Sequence, residues 1–206
     1  MSNKEITKQS YQAIAEDFAN NVASLAPIAS IDRFIDLLHV KGKIIDIGSG
    51  SGRDAKIFTH KGIDVVGIDF CQNLIDIARK NAPLAEFKLM DIEEMHFPPD
   101  SFDGAWAACS LLHIEKKSFP EVLKKIHNLL KKEGLLYLAL KKGQGESLET
   151  DLRYEGDVKK FWSFYGEDEL KIILQNTNFK ILSFDLIEKE YSYQTHSAFR
   201  VFCQKI

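Results

Sequence analysis

The chain reads as an α/β protein built on a doubly wound, mostly parallel sheet with helices on both faces. Three observations predict it. Short apolar runs alternate with helical patterns between about residues 43 and 140. Those runs are apolar nearly throughout, as strands covered on both faces are. The last two, Phe179–Ile187 and Ala198–Gln204, have no helix between them, so the final strand is expected to run antiparallel to its neighbour.

The elements follow in order. The first 40 residues read as two helices. Ile6, Tyr11, Ile14, Ala15 and Phe18 fall near helical spacing, and Pro27 opens a second stripe of Ile31, Phe34, Ile35 and Leu38. Lys43–Ile47 is a strand that runs into a glycine cluster. Gly52–Lys61 is a helix stopped by Gly62. Asp64–Ile68 is a second strand, and the helix Asn73–Asn81, with Asn73 as its expected cap, halts before Pro83. Ala85–Met90 and Phe102–Ala108 are the third and fourth strands. Phe119–Lys132 carries Val122, Leu123, Ile126, Leu129 and Leu130 at helical spacing and is expected to end at Gly134. Leu135–Leu140 is a fifth strand and Glu167–Asn176 a last helix. Ser192–His196 is expected to turn the chain between the final two strands. Right-handed crossovers then wind the parallel part in both directions.

Lys141–Tyr165 breaks this rhythm. Its charges balance and it ends in Phe161, Trp162, Phe164 and Tyr165. A connection this long is usually functional. It reads as a lid or wall over a pocket, with Trp162 and Tyr165 as candidate contacts to a flat substrate.

Composition narrows the function classes. The 206 residues are 45% apolar with a formal charge of −3, which suits one globular unit and argues against a chain that binds bulk nucleic acid. No apolar run reaches the ~18 residues of a membrane span, and the polar start has no signal-peptide pattern. Cys71, Cys109 and Cys203 form no CxxC pair, and His39, His60, His96, His127 and His196 show no ligand spacing, so no metal is expected. A cytoplasmic location is the expectation.

The decisive segment is IIDIGSGSGRDA, Ile44–Ala55. A strand enters Gly48-Ser49-Gly50-Ser51-Gly52 and leaves as a helix. At that end of a parallel sheet glycines let a ligand approach the main chain, and the helix aims free N–H groups at it. A dinucleotide fingerprint requires glycine where Arg53 stands. Asp46, two residues before the loop, disfavours a pyrophosphate and favours an ammonium group. Asp69 ends the second strand about twenty positions beyond Gly48, where an acid binds a ribose diol. Asp91 follows the third strand, suited to an exocyclic amine, and Phe70 and Ile92 flank a flat base. Amine, ribose and adenine in that order describe S-adenosylmethionine.

These pieces, DIGSGSG, VVGIDF, KLMDIEEM and FDGAWAACSLLHI, together with YQAIAEDFA near the start, resemble the class I S-adenosylmethionine-dependent methyltransferases. The resemblance implies a Rossmann-like, seven-stranded sheet with a reversed last strand. It implies one methyltransferase domain over 1–206: N-terminal helices to 40, a cofactor core over 41–141, a lid-like insertion over 142–165, and the rest of the sheet over 166–206. It implies that Asp46, Gly48, Ser49, Gly50 and Gly52 line the methionine portion, that Asp69 holds the ribose, that Asp91 and Ile92 hold adenine, that Cys109 closes the methionine side, and that Tyr11 covers the cofactor. Arg53 is either a carboxylate contact or a solvated residue. His113 is either a general base or a satisfied turn histidine. No D/N-P-P-Y/F tetrapeptide follows the fourth strand, which disfavours adenine or glutamine-amide acceptors. The expected partner is a small-molecule methyl acceptor, with no nucleic acid and no membrane, for a monomer or homodimer. A tRNA or protein methyltransferase using the lysines at 116, 117, 124, 125, 131 and 132, or a non-catalytic adenosyl-ligand binder, are the alternatives.

Overall fold

The computed structural model describes residues 1–38, 42–189 and 196–206. The N-terminal region holds three helices where periodicity predicts two: α1 (Asn3–Ala13), α2 (Ala15–Val22) and α3 (Ile28–Leu37). The extra break falls at Ile14, whose φ of −108° and ψ of 17° leave helical geometry while its side chain stays buried. Apolar spacing therefore runs on through the kink and conceals it.

The alternating core follows: β1 (Lys43–Ile47), α4 (Arg53–His60), β2 (Asp64–Asp69), α5 (Gln72–Asn81), β3 (Glu86–Leu89), β4 (Phe102–Ala108), α6 (Phe119–Leu129) and β5 (Leu130–Lys141). β6 (Glu146–Thr150), β7 (Lys159–Ser163), α7 (Glu167–Asn176), β8 (Phe179–Ile187) and β9 (Ala198–Lys205) complete the chain. Seven strands form one sheet in the order β3-β2-β1-β4-β5-β9-β8, and β9 runs antiparallel to both neighbours. The order reverses between β1 and β4, which opens a crevice at their carboxyl ends.

Strand alternation divides the core into two layers. Ile45, Val66, Ala105 and Leu136 face α6 and α7, burying Val122, Leu123, Ile126 and Leu170. Ile44, Val65, Trp106 and Tyr137 face α3, α4 and α5, burying Phe34, Phe58 and Ile75. Trp106 stacks on Tyr137 with ring centroids 3.9 Å apart, and its indole N–H donates to Asp54 at 2.9 Å. That bond ties the first turn of α4 to the sheet directly beneath the glycine loop.

Two further sequence expectations are corrected, and the expected lid acquires internal structure. The helix α6 ends at Leu129, and β5 begins at once: Leu130 pairs with Phe102, the chain bulges through Glu133 (φ 62°), and pairing resumes at Leu135 with Gly104. The expected lid contains a two-stranded hairpin, β6 with β7, distinct from the main sheet. Cys71, not Asn73, precedes α5 as its cap residue, and Asn73 instead donates to the Gln12 carbonyl of α1. Of the expected turn at Ser192–His196, residues 192–195 lie outside the described residues, as does His39. Among the described residues no helix is long and apolar enough to cross a membrane.

Candidate active site

A cavity of about 740 Å³ opens at the carboxyl ends of β1, β2 and β4 and continues past β5 to the start of β9. α1 roofs it, and the hairpin β6–β7 walls its far side. Asp46, Gly48, Ser49, Gly50, Arg53, Asp69, Phe70, Asp91, Ile92, Cys109, His113, Tyr11 and Trp162 all line it.

Two expected members do not. Gly52 packs against α5, where an added Cβ would stand 3.0 Å from the Ala78 Cα; it serves close helix approach and not ligand contact. Tyr165 is fully buried against Phe119, with ring centroids 4.9 Å apart, and lines no part of the cavity. The strand alternation of β7 carries on past its end, so Trp162 and Tyr165 do not share a surface.

The loop geometry explains its glycines. Gly48 has a φ of +71°, and a Cβ there would meet the Ser110 Cβ at 2.3 Å. Gly48 and Ser49 both donate to the Ile68 carbonyl, which stitches the loop to the tip of β2. Asp46 is only 3% exposed, and its Oδ2 finds no hydrogen-bond partner among the described residues. Burial, then the neighbouring Asp54 and Asp69, push its carboxyl well above the ordinary range, against the pull of Arg53. A buried acid without a donor is costly to keep unless something brings one.

Asp69 is held more firmly. Its Oδ2 accepts from the Gly50 N–H and its Oδ1 from the Cys71 N–H, both at 2.9 Å. Burial outweighs these bonds and lifts its carboxyl to about 6. Each oxygen keeps a second lone pair for a ligand hydroxyl. Asp91 sits where the third strand ends, but it already works locally. Its Oδ1 accepts from the Glu93 N–H at 2.8 Å, and its Oδ2 pairs with Lys4 of α1 at 2.8 Å. Arg53 is clamped to Asp54 through Nε at 2.7 Å and Nη2 at 3.1 Å. That is the fixed fork expected of a bidentate arginine, and it holds the guanidinium beside the loop.

His113 lies in the 3-10 turn after β4. Its Nδ1 stands 2.7 Å from the Phe161 carbonyl, which can only accept, so Nδ1 carries the proton. Nε2 is then an acceptor and receives the Tyr11 hydroxyl at 3.0 Å. Burial, with smaller contributions from Lys160 and Lys141, drives the imidazole down to about 3. Burial likewise lifts the Tyr11 phenol far above its usual value.

The sequence gives little warning of the polar cluster behind Tyr11. Lys160 is fully buried and pairs with Asp151 at 2.8 Å; its ammonium lies 4.3 Å from the Tyr11 ring and 4.6 Å from that of Tyr154. Arg153 binds the same Asp151 at 2.6 Å. Thr7 of α1 accepts the Phe161 N–H at 2.9 Å. These contacts fasten α1 to β7 and place Tyr11 over the loop. The lysines around α6 are spread among acids: Lys116 with Glu169, Lys117 with Glu115, Lys124 with Glu121 and Lys131 with Asp103. Among the described residues no group of three or more His, Cys, Asp or Glu is placed to hold a metal ion.

Comparison with known proteins places this geometry in context. A family model described as a methyltransferase domain matches residues 45–138. The chain is 27% identical over 174 residues to a putative methyltransferase, YqeM, of Bacillus subtilis, covering 79% of this chain and 70% of that protein. It is 29% identical over 124 residues to phosphoethanolamine N-methyltransferase 3 of Arabidopsis thaliana, but that match spans 57% of this chain and only 25% of the plant protein. Among solved structures, an S-adenosylmethionine-dependent methyltransferase from Methanosarcina mazei superposes with a TM-score of 0.75 at 26% identity, covering 88% of this chain and 98% of that one.

Proposed function

Because the chain belongs to the class I S-adenosylmethionine-dependent methyltransferases, we propose that it transfers a methyl group from that cofactor to an oxygen or nitrogen of a small-molecule acceptor. The observation that carries this reading is Asp46: a buried carboxylate oxygen without a donor, facing the cavity beside a glycine loop. The ammonium of the cofactor's methionine portion supplies the missing donor. Asp69, its orientation set by two backbone N–H groups, would hold the ribose hydroxyls. Asp91 and Ile92, with Phe70, would hold the adenine, and Cys109 would close the methionine side. Asp91 then shares its Oδ2 between Lys4 and the base.

When bound there, the cofactor supplies a methyl group on a positively charged sulfur, open to in-line attack by an acceptor lone pair. The chain's own residues align the acceptor and exclude water. His113 is proposed to act through Tyr11. An acceptor O–H or N–H gives its proton to the Tyr11 oxygen as the Tyr11 proton passes to Nε2, and the Phe161 carbonyl keeps Nδ1–H in place. An imidazole held near 3 is a weak base. It suffices where attack has already made the acceptor's proton strongly acidic.

The paired lysines around α6, Lys116, Lys117, Lys124 and Lys131, favour a small acceptor over RNA, since their charge is compensated locally. Incubating the protein with methyl-labelled S-adenosylmethionine and fractionated cell extract tests the reading. Label is expected in a low-molecular-weight fraction. Label in tRNA or protein would replace the acceptor class, and no label in any fraction would leave a binder rather than an enzyme.

A further inference from the structure

The cavity runs on past β5 to the start of β9, and its far end is built differently. There β5 and β9 pair antiparallel, with Ala139 opposite Arg200 and Lys141 opposite Ala198. Both pairs lie on one face, because Tyr137, Ala139 and Lys141 alternate along β5. Two alanines thus make a low floor, and two cations stand diagonally across it. Diagonal neighbours in an antiparallel pair are about 7–8 Å apart, within reach of one small group for side chains this long. Both cations, both alanines and Trp162 line the cavity.

The charges around this floor are unevenly satisfied. Lys141 lies over the Trp162 ring, 3.4 Å from its centroid. Asp151 is taken by Arg153 and Lys160, and Glu188 accepts from Ser197. Asp185, directly opposite Arg200 on β8, turns its carboxylate to Arg33 of α3 at 3.4 Å. Arg200 itself has no ion pair or hydrogen bond within the described residues. It nevertheless sits close enough to Cys109 and Tyr137 to bear on both electrostatically. A guanidinium in the middle of an otherwise apolar strand, Ala198–Cys203, aimed into a cavity and with no protein acid spent on it, is a recognition group waiting for an anion.

We propose that Arg200, with Lys141 beside it, receives an anionic oxygen group of the methyl acceptor, a carboxylate or a phosphate, while the acceptor's apolar part lies along Trp162 and the floor of Ala139 and Ala198. This rests on the methyltransferase reading and assigns the acceptor's chemical class to the same site. The two cations then fix the end of the acceptor remote from Tyr11. An uncharged analogue of equal shape leaves the Arg200 guanidinium without an anion and is rejected, which makes Arg200 a device for specificity as much as for affinity.

The test uses the full chain saturated with S-adenosylhomocysteine. Benzoate, phenyl phosphate and the uncharged benzyl alcohol are titrated into it and followed by ligand-observed NMR, for the parent protein and for Arg200→Ala and Arg200→Lys. One or both anions are expected to bind and benzyl alcohol not to. Arg200→Ala is expected to lose at least about tenfold in anion affinity, and Arg200→Lys to recover part of it. Affinity for S-adenosylhomocysteine is expected to stay within about twofold in both variants, since no cofactor contact is assigned to Arg200. The stronger of benzoate and phenyl phosphate names the group. Failure of both anions to bind, equal binding of benzyl alcohol, or unchanged anion affinity in Arg200→Ala overturns the proposal while leaving the cofactor site intact. Loss of S-adenosylhomocysteine affinity in Arg200→Ala also overturns it, because Arg200 would then serve the cofactor. Failure of the parent protein to bind S-adenosylhomocysteine at all instead defeats the reading on which it rests.

Discussion

Replacing His113 with glutamine should change how stability depends on pH in a calculable way. In the folded chain the imidazole donates from Nδ1 to the Phe161 carbonyl, accepts at Nε2 from Tyr11, and is held down at about 3. In the unfolded chain it titrates near 6.5. Between those values the unfolded state binds a proton that the folded state does not. Stability from this group is therefore present above 6.5 and lost as pH falls toward 3. The slope is about 1.4 kcal/mol per pH unit where the folded imidazole stays neutral. Over pH 6 to 4 that amounts to about 2–3 kcal/mol, the lower figure allowing for water at the cavity wall. Asp69 acts oppositely: lifted to about 6, it contributes stability at low pH that is lost as pH rises through 6. Its effect is common to both proteins and cancels in their difference. Urea unfolding of the parent and His113→Gln at half-unit steps of pH gives that difference directly. It should shrink steadily from pH 6 to pH 4. A difference constant over that range would show that His113 is not held neutral, and the relay through Tyr11 would give way to direct base catalysis.

Other expectations follow from the same geometry. Asp46→Asn should act with opposite signs in two assays. Without ligand at pH 8 it should stabilise the chain by about 1–3 kcal/mol, because a buried unpaired charge is removed, yet S-adenosylhomocysteine should bind at least about tenfold more weakly; a loss of stability together with unchanged affinity would refute the role given to this acid. Gly48→Ala should destabilise by more than about 1 kcal/mol, since it places a Cβ both at positive φ and against Ser110, and thermal melts would detect it. Tyr11→Phe should lower kcat by about tenfold or more with cofactor affinity little altered, whereas unchanged turnover would remove Tyr11 from the proton path.

What the sequence discloses, and what it does not, has physical causes. The strand-end acids are legible because a buried strand is apolar until it reaches the sheet's edge, so Asp46 and Asp69 mark two tips plainly. The reversed β9 follows from the missing helix between the last two runs, whereas the count of seven strands rests on the family resemblance. The hairpin of β6 and β7 was hidden because β6 is half in water: Glu146–Thr150 alternates exposed and half-buried residues, with Leu148 its single large apolar side chain. Lys160 looked like one charge among many, since burial depends on Asp151 across the hairpin and on Tyr11 from α1, 149 residues away in sequence. Arg200 did leave a trace: it is a lone cation in the apolar stretch AFRVF, a pattern that marks either an edge or a site. Tyr165 misled for the opposite reason, because clustered aromatics do not reveal which of them points inward.

Calorimetric titration of S-adenosylhomocysteine into the parent protein and into Asp69→Ala is the most direct test that the crevice at the carboxyl ends of β1, β2 and β4 is a cofactor site. The parent should bind one molecule per chain, and Asp69→Ala, which also frees the Gly50 and Cys71 N–H groups, should lose at least about tenfold in affinity. No binding to the parent, or equal binding by both proteins, would contradict the account.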